Sequence, residues 1–228
     1  AESKPERTEL INATSPGVLA RAAAEIGAAL IHYSTDYIFD GSGTEPRLED
    51  AVTGPLSVYG QTKLDGEELV RQAGCDHAIL RTSWVYAARG GNFIRTMLRL
   101  AGEREELRVI DDQFGAPTGA DLLADVTAVV LRGLKSDPAV SGTYHCVAAG
   151  ETSWHGFAMF VIEWARARGL PVSVASGRIL PVPTSAYPTA ATRPHNSRLD
   201  TTKLRQTFGL VLPPWQAGVE RMLKEMTG

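Results

Sequence analysis

The sequence predicts an α/β protein built on a doubly wound parallel sheet, with a smaller C-terminal lobe. Short apolar runs alternate with longer amphipathic segments through the first half, as in βαβ units. About four such units are present, which is too few for an eight-unit barrel. From Gly142 onward prolines become frequent and the pattern is irregular, so we place a boundary between residues 141 and 142.

The elements follow from residue spacing and terminal signals. Ser15-Pro16 combines a capping residue with a proline in the first turn, which predicts a helix from there to Gly27. The run from Ala28 to Ser34 is almost wholly apolar, as in a strand covered on both faces. The same rules predict helices at 57–73, 92–102, 119–134, 153–168, 201–208 and 215–226, and strands at 77–82 and 107–110.

Composition and charge narrow the function classes. The 228 residues are 43% hydrophobic and carry a net charge of −3, so nothing indicates a nucleic-acid partner. No apolar run approaches the ~20 residues of a membrane span. Cys75 and Cys146 lie outside any CxxC or Cys/His cluster, which argues against a metal site and a disulfide framework. We therefore expect a cytoplasmic protein with reduced thiols.

Three polar side chains form the candidate catalytic group. Tyr59 and Lys63 are four positions apart on a predicted helix and so share one face. The ammonium group is expected to lower the pKa of the phenol toward the range useful for acid–base catalysis. Thr35 ends a predicted strand, where ligands of open parallel sheets bind. A Tyr-x-x-x-Lys pair alone is more often a solvated helix pair, so its context decides.

That context consists of longer motifs spread over the chain. They are Leu10–Thr14 (LINAT), Ile31–Phe39 (IHYSTDYIF), Pro55–Leu64 (PLSVYGQTKL), Leu80–Tyr86 (LRTSWVY), Asp112–Thr118 (DQFGAPT) and Arg193–Leu199 (RPHNSRL). On these stretches the chain resembles the extended short-chain dehydrogenase/reductases, and within them the oxidoreductases that reduce the 4-keto group of dTDP-4-dehydro-L-rhamnose. The resemblance implies that residues 1–141 are the remaining part of a Rossmann-like dinucleotide-binding domain and that 142–228 mainly bind substrate.

The resemblance also implies catalytic roles. Tyr59 is expected to protonate the 4-keto oxygen, and Lys63 to lower the pKa of Tyr59 and hold the nicotinamide ribose. Thr35 takes the place of the superfamily's serine or threonine, in contact with substrate. Asn12 is expected to support a water relay behind the lysine.

Binding roles follow in the same way. The implied cofactor is NADPH or NADH, with Tyr33 beside it together with Tyr59 and Lys63. The implied partner is a dTDP-sugar, whose deoxysugar Asp36 and Trp84 are expected to contact. A homodimer is possible.

One departure from the family pattern concerns the glycine-rich motif that binds the dinucleotide. The fingerprint Gly-x-x-Gly-x-x-Gly, which holds the pyrophosphate at a helix N-terminus, is absent. Gly41-Ser42-Gly43 and Gly90-Gly91 have the character of turns. The chain thus resembles the C-terminal three-quarters of such an enzyme, and we expect weak dinucleotide binding and little activity from it alone.

Two other functions remain open. The first is another nucleotide-sugar epimerase or dehydratase of the superfamily. The dehydratase is disfavoured, because Tyr37 follows Asp36 where dehydratases tend to carry a second acid. A non-catalytic regulatory subunit, like that of methionine adenosyltransferase, is disfavoured because Thr35, Tyr59 and Lys63 are all present.

The remaining candidates have simpler explanations. His32 and His145 fall within strand patterns and are interpreted as sheet residues. Trp154, Phe157, Phe160 and Trp164 recur at helical spacing, which indicates core packing. Arg193 and Arg198 could bind a diphosphate, although surface ion pairing is the commoner role of such residues.

Overall fold

The structure is a computed structural model that describes residues 1–187 and 191–227. The chain divides into two compact units. The first comprises Ala1–Ser83, Leu123–Val147 and Thr189–Leu212, and the second Trp84–Leu122, Ala148–Pro188 and Pro213–Gly228. Both units draw segments from each side of residue 141, and the functional division proposed there stays a prediction.

A parallel three-stranded sheet organises the first unit. Its strands are β1 (Leu30–Thr35), β2 (His77–Thr82) and the strand Gly142–His145, in that spatial order. Thr35 pairs with Thr82, so the carboxyl ends of β1 and β2 meet at one edge. The α/β class with parallel strands is thus confirmed, and the candidate residues lie at the edge where such sheets bind ligands.

The first helical segment corrects the prediction of a start at Ser15. The chain is already helical at α1 (Pro5–Glu9), passes through a π-turn at Leu10–Thr14 and continues as α2 (Ser15–Glu25). Ser15 caps nothing, and its N–H donates to the carbonyl of Leu10 five residues back. Pro16 lacks an N–H and would crowd a regular turn, so the wider turn before it lets the helix continue.

Helix α3 (Val58–Gln72) carries Tyr59 and Lys63 and lies against the first helical segment. Ser57 caps it by accepting a hydrogen bond from the Gly60 N–H at 3.1 Å. A Cβ on Gly66 would lie 2.1 Å from the Asn12 carbonyl oxygen, so only glycine permits this approach. An apolar cluster that includes Ala20, Val70 and Ile79 buries α2 and α3 against β2.

The second unit has smaller sheets around a helical core. Its strands are β3 (Val85–Tyr86), β4 (Leu107–Ile110), β5 (Phe114–Gly115), β6 (Thr118–Gly119), the strand Thr152–Ser153 and the strand Ile179–Val182. Its core helices are α4 (Phe93–Glu103), the helix Trp154–Ala167 and the helix Trp215–Thr227. The strand predicted at 107–110 exists, but it pairs with Ile179–Val182 and not with the three-stranded sheet.

We number the later elements in chain order. They are α5 (Ala120–Ser136), β7 (Gly142–His145), β8 (Thr152–Ser153), α6 (Trp154–Ala167), β9 (Ile179–Val182), α7 (Thr202–Phe208) and α8 (Trp215–Thr227). Each of these helices begins within one residue of its predicted start. Throughout the described part of the chain, no helix is both long and apolar enough to cross a membrane.

Candidate active site

Thr35 and Tyr59 meet at the carboxyl end of β1. Thr35 is 5% exposed, and its hydroxyl oxygen accepts the Tyr37 N–H at 3.2 Å, which fixes the turn after the strand. Tyr59 lies in the first turn of α3, where its ring meets that of Tyr37 edge to face at 5.5 Å. The Thr35 side chain is close enough to the Tyr59 phenol to lower its pKa. The structure therefore joins two of the three catalytic candidates directly.

The pKa of Tyr59 moves in the direction opposite to the expected one. Burial raises it, the Asp36 charge raises it further, and only the Thr35 side chain opposes them. Lys63 is not among the groups that shift this pKa, since its ammonium group bonds the Tyr33 carbonyl, and its predicted effect on Tyr59 stays a prediction. The phenol is protonated at neutral pH, as at its ordinary pKa of ~10, and is available as a proton donor; the raised pKa makes it a weaker acid than a free tyrosine.

Lys63 is turned toward the backbone of β1. Its Nζ donates to the Tyr33 carbonyl at 2.5 Å and lies 3.5 Å from Nε2 of His32. Burial lowers the pKa of Lys63, and the Glu67 carboxylate opposes that shift. Burial, with the Lys63 charge, lowers the pKa of His32 to about 4, so the imidazole beside the lysine is neutral at pH 7.

Asp36 is a buried carboxyl group next to the Thr35 hydroxyl. It is 2% exposed, and its Oδ1 accepts the Thr35 hydroxyl at 3.2 Å. Burial raises its pKa to about 6, although hydrogen bonds, the largest from Ser197, oppose the shift. Keeping Asp36 ionised at neutral pH therefore costs folding free energy.

The free-energy cost of ionising the buried Asp36 carboxyl group makes the stability of the folded chain depend on pH. The pKa in the folded chain exceeds the unfolded value of ~3.9, so stability falls as pH rises from about 4 to about 6 and stays lower above. We expect Asp36→Asn to raise the free energy of unfolding at pH 8 by roughly 1–3 kcal/mol and to lose this advantage near pH 4. Urea denaturation at both pH values measures the difference.

Asp40→Asn is the matched control for that substitution. Asp40 is exposed, and hydrogen bonds from Ser42 lower its pKa, so the same exchange should give no gain at pH 8. An Asp36→Asn protein no more stable than wild type at pH 8 would contradict the assigned burial cost.

Asn12 and Tyr33, for which a water relay and a cofactor contact are predicted, each hydrogen-bond a threonine hydroxyl. The Asn12 amide donates to the Thr62 hydroxyl at 3.1 Å, one residue before Lys63. The Tyr33 phenol lies 2.5 Å from the Thr127 hydroxyl on α5. Their expected roles, a water relay and a cofactor contact, stay predictions.

Trp84 belongs to the second unit and has unusual backbone geometry. Among the described residues it alone, apart from glycines, has a positive φ, at 50°. A bulky side chain is strained there and persists only when its surroundings fix it. Its indole stacks on that of Trp154, with centroids 3.8 Å apart and an interplanar angle of 14°.

Comparison with known proteins decides the family. The model of the RmlD substrate binding domain matches residues 1–227. The chain belongs to the RmlD substrate-binding family. It is 58% identical over 226 residues to dTDP-4-dehydrorhamnose reductase of Escherichia coli K12, covering 99% of this chain and 75% of that protein. It is 46% identical to the reductase of the same name from Burkholderia thailandensis, covering 99% and 77%.

Solved structures agree with this membership of the RmlD substrate-binding family. The dTDP-4-dehydrorhamnose reductase of Bacillus anthracis, crystallised in complex with NADP, superposes with a TM-score of 0.88 at 35% identity. The match covers 99% of this chain and 75% of that one. The chain thus spans about three-quarters of the length of these relatives, and the Rossmann-like α/β assignment is confirmed.

Sequence reasoning missed a buried ionic group in this family member. Glu67 is fully buried, and its carboxylate binds the Arg81 guanidinium through Nε at 2.9 Å and Nη2 at 2.7 Å. Arg71 adds a third contact to Glu67 at 2.6 Å. Lys63, Glu67 and Arg71 recur every fourth residue on α3, and that periodicity could have revealed the group.

Arg193 and Arg198, the arginines considered as diphosphate ligands, lie in a segment of the first unit that hydrogen bonds hold in place. Asn196 is 2% exposed and donates to the carbonyls of Ser42 at 3.2 Å and Glu45 at 2.9 Å. Arg198 reaches the Asn196 side-chain oxygen at 3.3 Å, and the Arg193 charge acts on the Tyr37 phenol. Diphosphate binding by these arginines stays a prediction. Within the described residues, no group of three or more His, Cys, Asp or Glu side chains is placed to hold a metal ion.

Proposed function

We propose that this chain carries the substrate-binding and proton-donating part of an NAD(P)H-dependent oxidoreductase. It reduces the 4-keto group of dTDP-4-dehydro-L-rhamnose to give dTDP-L-rhamnose. The observation that carries this proposal is the Tyr59 phenol, whose pKa the Thr35 side chain lowers and which lies one helical turn before Lys63. It occurs in a chain 58% identical to dTDP-4-dehydrorhamnose reductase of E. coli.

The residues of the chain supply position and a proton. Tyr59, whose phenol is protonated at neutral pH, donates its hydroxyl proton to the 4-keto oxygen. Thr35 donates a hydrogen bond to the same oxygen and orients the phenol. Asp36 accepts hydrogen bonds from sugar hydroxyls next to this position, and Trp84 contacts the deoxysugar ring.

The residues at the end of β1 fit the ribose and nicotinamide end of a dinucleotide. Lys63 is part-buried and its ammonium group already donates to a carbonyl acceptor, so a ribose hydroxyl can take the same kind of bond. Tyr33 and Tyr59 are each more than a third exposed and would lie beside the cofactor. When bound, NADPH or NADH supplies the hydride.

The same proposal extends to the compartment, the binding partner and the oligomeric state of the enzyme. We infer a cytoplasmic enzyme whose partner is a dTDP-sugar, with no nucleic-acid partner. A homodimer is compatible with this function and is tested by sedimentation.

The deciding experiment assays the full-length protein that contains this chain. With dTDP-4-dehydro-L-rhamnose we expect loss of NADPH or NADH and formation of one dTDP-L-rhamnose per cofactor oxidised. An epimerase would interconvert sugars without net consumption of reduced cofactor. A regulatory subunit would bind a partner protein and give no turnover, and either result would overturn the proposal.

A further inference from the structure

Two parts of the first unit that lie far apart in the sequence, the loop 40–47 and the segment 194–200, are joined through their backbones. The Arg47 N–H donates to the Arg198 carbonyl at 3.0 Å, and the Asp200 N–H donates to the Arg47 carbonyl at 2.9 Å. Neither part is a helix or a longer strand, so these bonds and those of their side chains determine where the segment lies.

Asn196 makes most of the side-chain bonds between the two parts. Its N–H donates to the Gly41 carbonyl at 3.0 Å. Its amide nitrogen donates to the carbonyls of Ser42 at 3.2 Å and Glu45 at 2.9 Å. Its side-chain oxygen accepts the Arg198 N–H at 3.2 Å. The Asn196 side chain therefore uses both its amide hydrogens and its oxygen in this contact.

A glycine lets the loop approach the segment closely. Gly41 has a φ of 68°, and a Cβ on it would lie 2.5 Å from Cα of the buried Pro194. A side chain at position 41 would therefore push the segment away. Gly43, two residues later, has a φ of 69°, but a Cβ on it would meet no described atom within 4 Å. The two glycines share a backbone conformation and differ in this contact.

The segment places Ser197, the residue after Asn196, beside Asp36. Both Ser197 and Asp36 are 2% exposed. Burial raises the pKa of Asp36, and the Ser197 side chain is close enough to the carboxyl group to oppose that shift. A hydroxyl group that faces a buried carboxylate favours its charged form, so the place of Ser197 matters to the charge of Asp36.

The Asp36 carboxyl group is coupled to the candidate catalytic side chains. Its Oδ1 accepts the Thr35 hydroxyl at 3.2 Å. Burial raises the pKa values of Tyr59 and Tyr37, and the Asp36 charge raises both further. The Arg193 charge opposes that shift at Tyr37. A change in the place or the charge of Asp36 therefore acts on the hydroxyl and the phenol of the proposed reaction.

We propose that Asn196 is a positioning residue, which through its bonds to the loop 40–47 holds Ser197 beside Asp36 and so keeps Asp36 in its place against Thr35. The inference rests on the proposed function for the role of Thr35 in the reaction. An asparagine that served only to hold the loop would act on stability and would leave both the Asp36 titration and the rate unchanged.

Asn196→Ala tests the proposal because it removes the side-chain bonds to the loop. We expect the pKa of Asp36 to rise by roughly 0.5 to 1 as the Ser197 hydroxyl moves away, and kcat to fall about 3- to 10-fold. Carbon-13 NMR titration of the full-length protein labelled at aspartate measures the pKa, with Asp36→Asn to identify the resonance. Rates are taken well below the unfolding temperature. Ser197→Ala should raise the pKa of Asp36 equally.

Gly41→Ala moves the segment without touching Asn196, and Gly43→Ala is its matched control. Gly41→Ala should raise the pKa of Asp36 as Asn196→Ala does, and it reads the same contact if Asn196→Ala fails to fold. Gly43→Ala carries the same backbone strain and should leave the pKa and kcat at their wild-type values. A wild-type Asp36 titration in Ser197→Ala or Gly41→Ala, or an equal shift in Gly43→Ala, would overturn the inference. The titration needs no turnover, so it is read independently of the proposed reaction.

Discussion

Tyr59→Phe should lower kcat for reduction of the 4-keto sugar by about 10²- to 10⁴-fold, the range for loss of a positioned general acid. The substitution removes one hydroxyl and keeps the ring, whose edge-to-face packing on Tyr37 at 5.5 Å remains possible. We therefore expect KM and thermal stability to change little. Initial rates of NADPH or NADH oxidation with dTDP-4-dehydro-L-rhamnose measure the effect.

Tyr187→Phe is the matched control for the hydroxyl. Tyr187 is 45% exposed, and its hydroxyl donates only to the Arg108 carbonyl at 3.1 Å, so the same exchange should leave the rate unchanged. If Tyr59→Phe stayed within a few-fold of wild type, Tyr59 would not be the proton donor.

Glu67→Gln should lower the free energy of unfolding by roughly 3–5 kcal/mol at pH 7, as expected when one partner of a buried ion pair is removed. Gln has nearly the size of Glu, but it leaves the Arg81 guanidinium, 3% exposed, without its counter-charge. Urea denaturation followed by circular dichroism measures the loss. Lys63 also loses the carboxylate that raises its pKa, so activity should decline at higher pH.

Glu68→Gln controls for the loss of one carboxylate on the same helix. Its partner is Arg71 and its side chain is 54% exposed, so stability should change by no more than about 0.5 kcal/mol.

Burial of Glu67 favours its neutral form, but the hydrogen bonds and charge of Arg81 outweigh this effect of burial and lower the pKa of Glu67. The contribution of Glu67 is therefore complete above the unfolded pKa of ~4.3 and is lost as pH falls through the folded value. A gap between wild type and Glu67→Gln that failed to narrow as pH fell below ~4.3 would show that shape, not charge, causes it.

The helical start at Pro5 shows where local signals mislead. Ser15-Pro16 has the composition of a helix start, yet the helix runs through it because a π-turn accommodates the proline. The strand Leu107–Ile110 lies where the spacing predicts it, but its pairing with Ile179–Val182 was not predicted, since that pairing depends on residues more than 70 positions away in the chain. Spacing rules describe neighbours in sequence, and partners across a sheet lie outside their reach.

The pKa of Tyr59 shows the same limit for chemistry. The spacing of Tyr59 and Lys63 indicates a shared helix face, but it does not tell which acceptor the lysine selects. In the folded chain the Tyr33 carbonyl takes that bond, and burial then governs the phenol. Glu67 and Arg81 drew no site assignment from sequence because their contact forms only between segments that the fold brings together.

The sequence by itself determined the α/β class, the bounds of most helices, the family and the residue types of the candidate catalytic group, because these depend on local periodicity and on contiguous motifs. Tertiary structure decided which groups are buried, which carbonyl Lys63 binds, how Glu67 and Arg81 neutralise each other, and how Trp84 is held. These properties depend on desolvation and on distances between segments remote in the chain, and both exist only once the chain has folded.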